Sequence, residues 1–221
     1  MSIHGMLDFF FKGGLFVWPI LFMFVAIMAI AVERAVNLSR IRSVNRKMWN
    51  VLGPILAKGE FDRARKIIDN DKSTVSQMLG MGLARMGVVR RREDIEIAME
   101  ESMMEIIPQL ERRLPYVALF SNIATLLGLL GTIVGLIDAF TAVSAANPAE
   151  KADLLSASIS VAMNTTAFGL MAAIPLLLFH AKLTSTTGHI VDSLEMASVK
   201  ALNSISDFNR RYFEKKMEAT G

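Results

Sequence analysis

One apolar stretch, Leu114 to Val143, constrains this chain more than any other feature. It is long enough to cross a bilayer, for which about 20 apolar residues suffice. It is not a plain lipid anchor. Gly128, Gly131 and Gly135 recur at helical spacing, so one side of the helix carries almost no side chain. Such a groove lets another helix backbone approach closely, which is how helices associate in lipid, where no hydrophobic drive is available. Thr132 stands in that groove. A hydroxyl at bilayer depth needs a partner, and its own helix, a neighbouring chain, or a passing ion or water can each supply one.

The rest of the chain sorts into greasy and solvated zones, as 52% apolar and 20% charged residues require when they share one polypeptide. Residues 1–12 read as an amphipathic lead-in at the outer membrane surface, and 13–33 as the first transmembrane helix. Trp18 and Pro19 stand near that helix's start, and a Glu33-Arg34 ion pair closes it. Asp8 and Lys12 precede the first apolar run without a basic leader, so no cleavable signal peptide is expected. Residues 34–113 read as a cytoplasmic helical domain. Phe61, Ala64, Ile67 and Ile68 form one amphipathic stripe, and Val75, Met78, Leu79 and Leu83 another. A third, with Ile95, Ala98, Met99, Ser102, Met103, Ile106 and Leu110, is expected to run on into the second span. Unbroken to Val143 it would be about 75 Å long, with Pro108 and Pro115 as possible kinks. Arg90-Arg91-Arg92 is followed at once by Glu93, Asp94 and Glu96, so local charge nearly cancels and no nucleic acid is implied.

The second span covers residues 114–143, a short outer loop 144–153, the third span 154–182, and an amphipathic C-terminal helix 183–221. That last helix is expected to project into water, with Ile190, Leu194, Met196, Val199, Leu202 and Ile205 on its apolar stripe. The third span is crowded with small and hydroxyl residues, among them Ser158, Ala162, Thr165, Thr166 and Gly169. A helix buried among others, or lining a path, needs these; a lipid-facing helix does not. Pro175 is the expected bend in it. Lysine and arginine concentrate in 34–113 and the tail, which places both in the cytoplasm, N-terminus out and C-terminus in. The fold class is therefore an all-α integral membrane protein of three transmembrane helices with long cytoplasmic helical extensions.

No enzyme constellation or cofactor motif is present, and the absence of cysteine removes disulfides and thiolate metal sites. What remains is polar residues inside the spans. Thr132 lies near mid-depth of the second, Thr165-Thr166 near mid-depth of the third, and antiparallel packing would bring them to one height. Clustered hydroxyls can coordinate a dehydrated cation or carry a water chain. They do not titrate at neutral pH, so a proton or sodium path needs a carboxylate from elsewhere. Asp138, the only acid inside the spans apart from Glu33 at the end of the first, lies near the outer end of the second. The competing reading is that all three threonines bond their own helices at the i−4 carbonyl.

The blocks Leu127-Gly128-Leu129-Leu130-Gly131-Thr132-Ile133-Val134-Gly135 and Thr165-Thr166-Ala167-Phe168-Gly169-Leu170-Met171-Ala172-Ala173-Ile174-Pro175 resemble the signature of the MotA/TolQ/ExbB proton-channel family, ExbB/TolQ-like branch. The resemblance implies a bacterial inner-membrane homopentamer around two copies of an ExbD/TolR-like single-span subunit, which brings the titrating Asp, with a TonB/TolA-like protein as a further partner. It implies pore threonines at Thr132 and Thr166, to which the adjacent Thr165 is added as a candidate for the ion path, with Gly128, Gly131, Gly135, Ser158, Ala162 and Gly169 packing helices or lining the pore. Two departures stand out. Val161 occupies the position where ExbB-like proteins carry Glu, and Thr165 stands where many proton-driven members have Ala. Sodium, held transiently by the three threonines, is thus an alternative to the proton. A passive scaffold is the rival class.

Overall fold

Six helices account for the regular structure of the computed structural model, which describes residues 14–89 and 91–218, without the side chains at 213 and 215–218. They are α1 (Val17–Ala57), α2 (Phe61–Asp69), α3 (Thr74–Arg85), α4 (Arg92–Glu111), α5 (Leu114–Ala145) and α6 (Lys151–Glu218). The expected lead-in over residues 1–12 and Arg90 lie outside the described residues. Three helical stretches are long and apolar enough to span a membrane: α1, the α4–α5 run, and α6. The chain divides into two units, one of residues 1–34 and 113–183, the other of 35–112 and 184–221, with α1 and α6 contributing to both.

The first unit mixes small and large residues inside, with Leu176 and Ile20 buried beside alanines, and leaves many large apolar side chains outside. Ile20 of α1, Ala124 of α5 and Ala172 and Ala173 of α6 meet at its centre, with Met23, Phe24 and Leu127 against them. Phe22 is 80% exposed, and Leu126, Leu129, Ile133, Ile137, Phe140 and Leu178 also face outward. In water this arrangement would forfeit most of the burial these side chains offer; lipid tails or neighbouring chains remove that cost.

The second unit is a conventional core. Leu52, Leu56, Met78, Leu79, Ile95, Met99, Leu110, Ile190 and Leu194 are fully buried. The α4 stripe buries the seven residues expected of it. Ser73 caps α3, its hydroxyl accepting from the Ser76 N–H at 3.2 Å. Asn45 exchanges hydrogen bonds with the Thr74 hydroxyl at 2.7 and 3.0 Å, tying α1 to the start of α3.

Four sequence expectations need correction. The helix of the first span does not stop at Glu33-Arg34 but runs on to Ala57, and Glu33 pairs with Arg113 at 2.9 Å. Charged residues can end an apolar span without ending a helix. The expected continuous helix through residue 112 is broken, because Arg113 takes φ 70°, a left-handed backbone. In an unbroken helix the Pro115 ring would press on the Glu111 carbonyl; restarting at Leu114 puts Pro115 in the first turn, where its missing N–H costs nothing. The C-terminal segment is no projecting tail. Asn209, 2% exposed, accepts from the Gly87 N–H at 2.8 Å and donates to the Val89 carbonyl at 2.5 Å, while Phe208 meets Phe61 edge to face. Met196 and Val199 lie off its buried stripe, which Ala197 and Ala201 complete instead.

Candidate functional site

The glycines of α5 meet α6 directly. A side-chain carbon added at Gly128 would come within 3.1 Å of the Gly169 Cα, and one at Gly169 within 2.7 Å of the Ala124 carbonyl oxygen. At Gly135 it would stand 2.8 Å from the Ala162 Cβ, and at Gly131 it would collide with the Thr165 methyl. These partners run in opposite order along the two helices, so α5 and α6 are antiparallel and touch backbone to backbone. That contact is possible because glycines stand where the backbones meet and the side chains between them are small.

Close approach of this kind brings each helix's carbonyls within reach of the other's hydroxyls. Thr166 Oγ1 donates across the seam to the Gly128 carbonyl at 3.0 Å. Thr132 Oγ1 lies 3.2 Å from the Ala162 carbonyl and 3.3 Å from Gly128 O on its own helix, and the two hydroxyls touch each other. Gly128 is four residues before Thr132, and Ala162 four before Thr166. Each threonine therefore reaches the carbonyl that the other would use for an ordinary own-helix bond. A hydroxyl carries one proton, and Thr132 Oγ1 has three oxygens within reach, so its proton can satisfy only one of them at a time.

Thr165 turns elsewhere. It is 2% exposed, its hydroxyl donates to the Val161 carbonyl on its own helix at 3.1 Å, and its methyl fills the space left by Gly131. The structure thus joins Thr132 to Thr166 and sets Thr165 on the packed side. Gly128, Gly131, Gly135, Ala162 and Gly169 all lie in the α5–α6 seam within one chain, Ser158 is half-buried one turn beyond Ala162, and α6 is continuous through Pro175. Ser121, not singled out in the sequence, adds a buried bond to the Ala173 carbonyl at 2.9 Å. The signal for it was present: Ser121, Gly128 and Gly135 are seven apart and share one line along α5.

Residues 70–196, more than half of the chain, match the MotA/TolQ/ExbB proton channel family. The chain belongs to this family. The match takes in both threonines, the glycine seam and α4. Among the relatives with which a MotA/TolQ/ExbB chain of this kind aligns is the Tol-Pal system protein TolQ of Haemophilus influenzae, 36% identical over 39% of this chain and 38% of that protein. The chain thus spans little more than a third of that relative. A putative biopolymer transport protein ExbB homolog of Methanothermobacter thermautotrophicus is 27% identical over 86% of this chain and 67% of its own length. The ExbB-like 3 protein of Synechocystis is 29% identical over 76% and 79%. The solved structure of C. jejuni MotAB is similar in fold, with a TM-score of 0.59 at 15% identity, covering 87% of this chain and 78% of that one. Family membership and three apolar helical stretches make this a multi-pass membrane protein of the proton channel family.

Proposed function

We propose that this chain is the multi-span subunit of an ion-driven motor in a bacterial inner membrane, coupling the proton gradient to mechanical work on the cell envelope. In this reading five copies enclose two single-span subunits of the ExbD/TolR type, which carry the titrating Asp, and a TonB/TolA-like protein receives the work. Residues 35–112 and 184–221 lie in the cytoplasm, where their lysines and arginines belong. The observation that carries the reading is the Thr132–Thr166 pair. Two hydroxyls with more acceptors than protons sit in a seam where backbone carbonyls of both helices are within reach. Such a group can re-aim its hydrogen bonds as a cation or water comes and goes, while the partner's carboxylate does the titrating. Thr165, bonded to its own helix, serves packing in this reading, and the proton is favoured over sodium because the pair lacks its third oxygen.

Thr166→Val is nearly isosteric and should cut gradient-driven flux at least about tenfold, while the assembled complex is recovered at normal yield. Flux is read in vesicles holding the complex with its single-span partner. Unchanged flux would sink the ion-path reading. The rival is a passive scaffold, favoured by the fact that both hydroxyls already have carbonyl partners. A scaffold would keep its cellular function when the gradient is dissipated; the motor would lose it. Replacing sodium with potassium at constant pH separates the two ions.

A further inference from the structure

One carboxylate is left over. Asp138 is the only charged residue between Leu114 and Val143, the first and third spans hold none between 13 and 32 or between 154 and 179, and apolar Phe140 and Val143 still follow it. It is exposed, although its neighbour Ala139 is fully buried. Ionisable groups at membrane depth face a partner or water rather than lipid. Its place on α5 is fixed by spacing: Ala124, Gly131 and Asp138 are seven apart, and the first two are buried in the seam with α6. A seven-residue step falls about 20° short of two full turns, so Asp138 stands at the edge of that seam at its outer end, exposed beside buried Ala139. It stands six residues beyond Thr132, about 9 Å along the axis. On antiparallel α6, Val161 stands five residues before Thr166, about 7.5 Å in the same direction. Gly135 against Ala162 sets the register, so Val161 lies less than one turn from the level of Asp138 on the facing helix, both outward of the threonine pair, and Val161 is partly exposed and close to Gly14.

We infer that Asp138 is a second ion-handling group: the carboxylate at the outer mouth of the α5–α6 seam, receiving a monovalent cation before it reaches Thr132 and Thr166. The inference rests on the motor reading above. It also bears on Val161, since an acid supplied from α5 less than one turn away makes one on α6 unnecessary. The attraction of a carboxylate for a cation is strong where water is scarce, and a hydroxyl pair alone offers no charge.

The test uses the full complex in vesicles, with proton uptake followed by a pH dye and sodium uptake measured in a parallel arm. Asp138→Asn should lower flux at least about tenfold with assembly unchanged, Asp138→Glu should retain it, and Asp138→Asn with Val161→Glu should recover it. Unchanged flux in Asp138→Asn overturns the inference. So does equal loss in Asp138→Glu, which would mark a structural role, and so does failure of Val161→Glu to rescue. Thr166→Val is measured alongside: its full activity would overturn the motor reading itself, whereas loss there with full activity in Asp138→Asn would overturn only the role given to Asp138.

Discussion

The two units of this chain solve opposite packing problems with the same secondary structure. In the unit of residues 1–34 and 113–183, glycine, alanine and threonine line the α5–α6 seam and many leucines, isoleucines and phenylalanines face out, although Ile20, Phe168 and Leu176 are buried. In the unit of residues 35–112 and 184–221 the large side chains are inside. Water rewards burial of apolar area by roughly 25 cal/mol per Å², so the second unit needs bulk in its core. Lipid offers no such reward, so the first gains from backbone proximity and cross-helix hydrogen bonds instead. The polar site follows from that difference. Only helices close enough to touch at glycine Cα atoms can offer carbonyls to one another's hydroxyls, and a core of leucines would have held Thr132 and Thr166 apart.

The inversion is broken most severely by adding bulk to the seam. Gly169→Leu would drive a side chain into the Ala124 carbonyl and the Gly128 backbone, which cannot yield as a side-chain tip can. Overpacking costs about 1–3 kcal/mol, occasionally more, and here it should abolish recovery of monodisperse complex in detergent. A normal elution profile would show that the seam is not the contact that holds the unit together. The opposite operation sharpens the contrast. Leu79→Ala in the second unit should cost about 2–5 kcal/mol in unfolding of the purified chain. Leu129→Ala in the first, where the side chain is 53% exposed, should stay within about 0.5 kcal/mol. Similar losses at both would mean that the first unit is not inside out.

Much of this was legible from periodicity. The α4 stripe from Ile95 to Leu110 and the α3 set of Val75, Met78, Leu79 and Leu83 are buried as a 3.6-residue repeat requires. Antiparallel spans with threonines at mid-depth were enough to place Thr132 opposite Thr166. What periodicity could not supply was the ends of helices and the fine aim of side chains. Nothing at Glu33-Arg34 or after Ala181 breaks a helix, so α1 and α6 pass through positions where hydropathy alone suggests a stop. Pro115 looked like a kink and proved to be a restart, because the left-handed turn at Arg113 moved it into a first turn. Adjacent threonines looked equivalent, yet consecutive residues differ by about 100° around a helix, and that angle separates the packed Thr165 from the paired Thr166. The exchange of carbonyls depended on how closely two backbones approach, a distance no single sequence states.

The second unit also holds its connections in place by buried polar groups, as the first does, but with side chains against loop backbone. Asn209→Ala would leave the Gly87 N–H and the Val89 carbonyl without the amide that serves both. A loss of about 1–3 kcal/mol is expected for orphaning such groups, visible as faster hydrogen exchange at Gly87 with little change at Gly128. Equal acceleration at both would show that the units do not respond separately.

The smallest expected effect concerns charge, which the threonine pair lacks and the second unit uses. Burial alone would raise the Asp71 carboxyl, but hydrogen bonds from the Ser73 and Ser76 hydroxyls and from the Ser73 and Lys72 backbone N–H groups outweigh it and hold the group below its ordinary value. The Ser73 N–H donates to Oδ2 at 2.9 Å, just ahead of the capped start of α3. A folded-state value below the unfolded one means the folded protein binds the proton less readily. The stabilisation is therefore complete above the unfolded value and fades as the pH falls through the folded one. Asp71→Asn should thus be slightly less stable than the parent at neutral pH, with the gap closing as the pH drops from about 5 towards 2. Because the carboxylate is only half-buried, solvent screening keeps the gap small. Hydroxyls have no comparable titration, so Thr166→Val should show a stability difference that is flat over the same range. A gap at Asp71 equally indifferent to pH would mean that the carboxyl is held by shape alone, as the seam is, and that the two units differ less in this respect than their hydrogen bonds suggest.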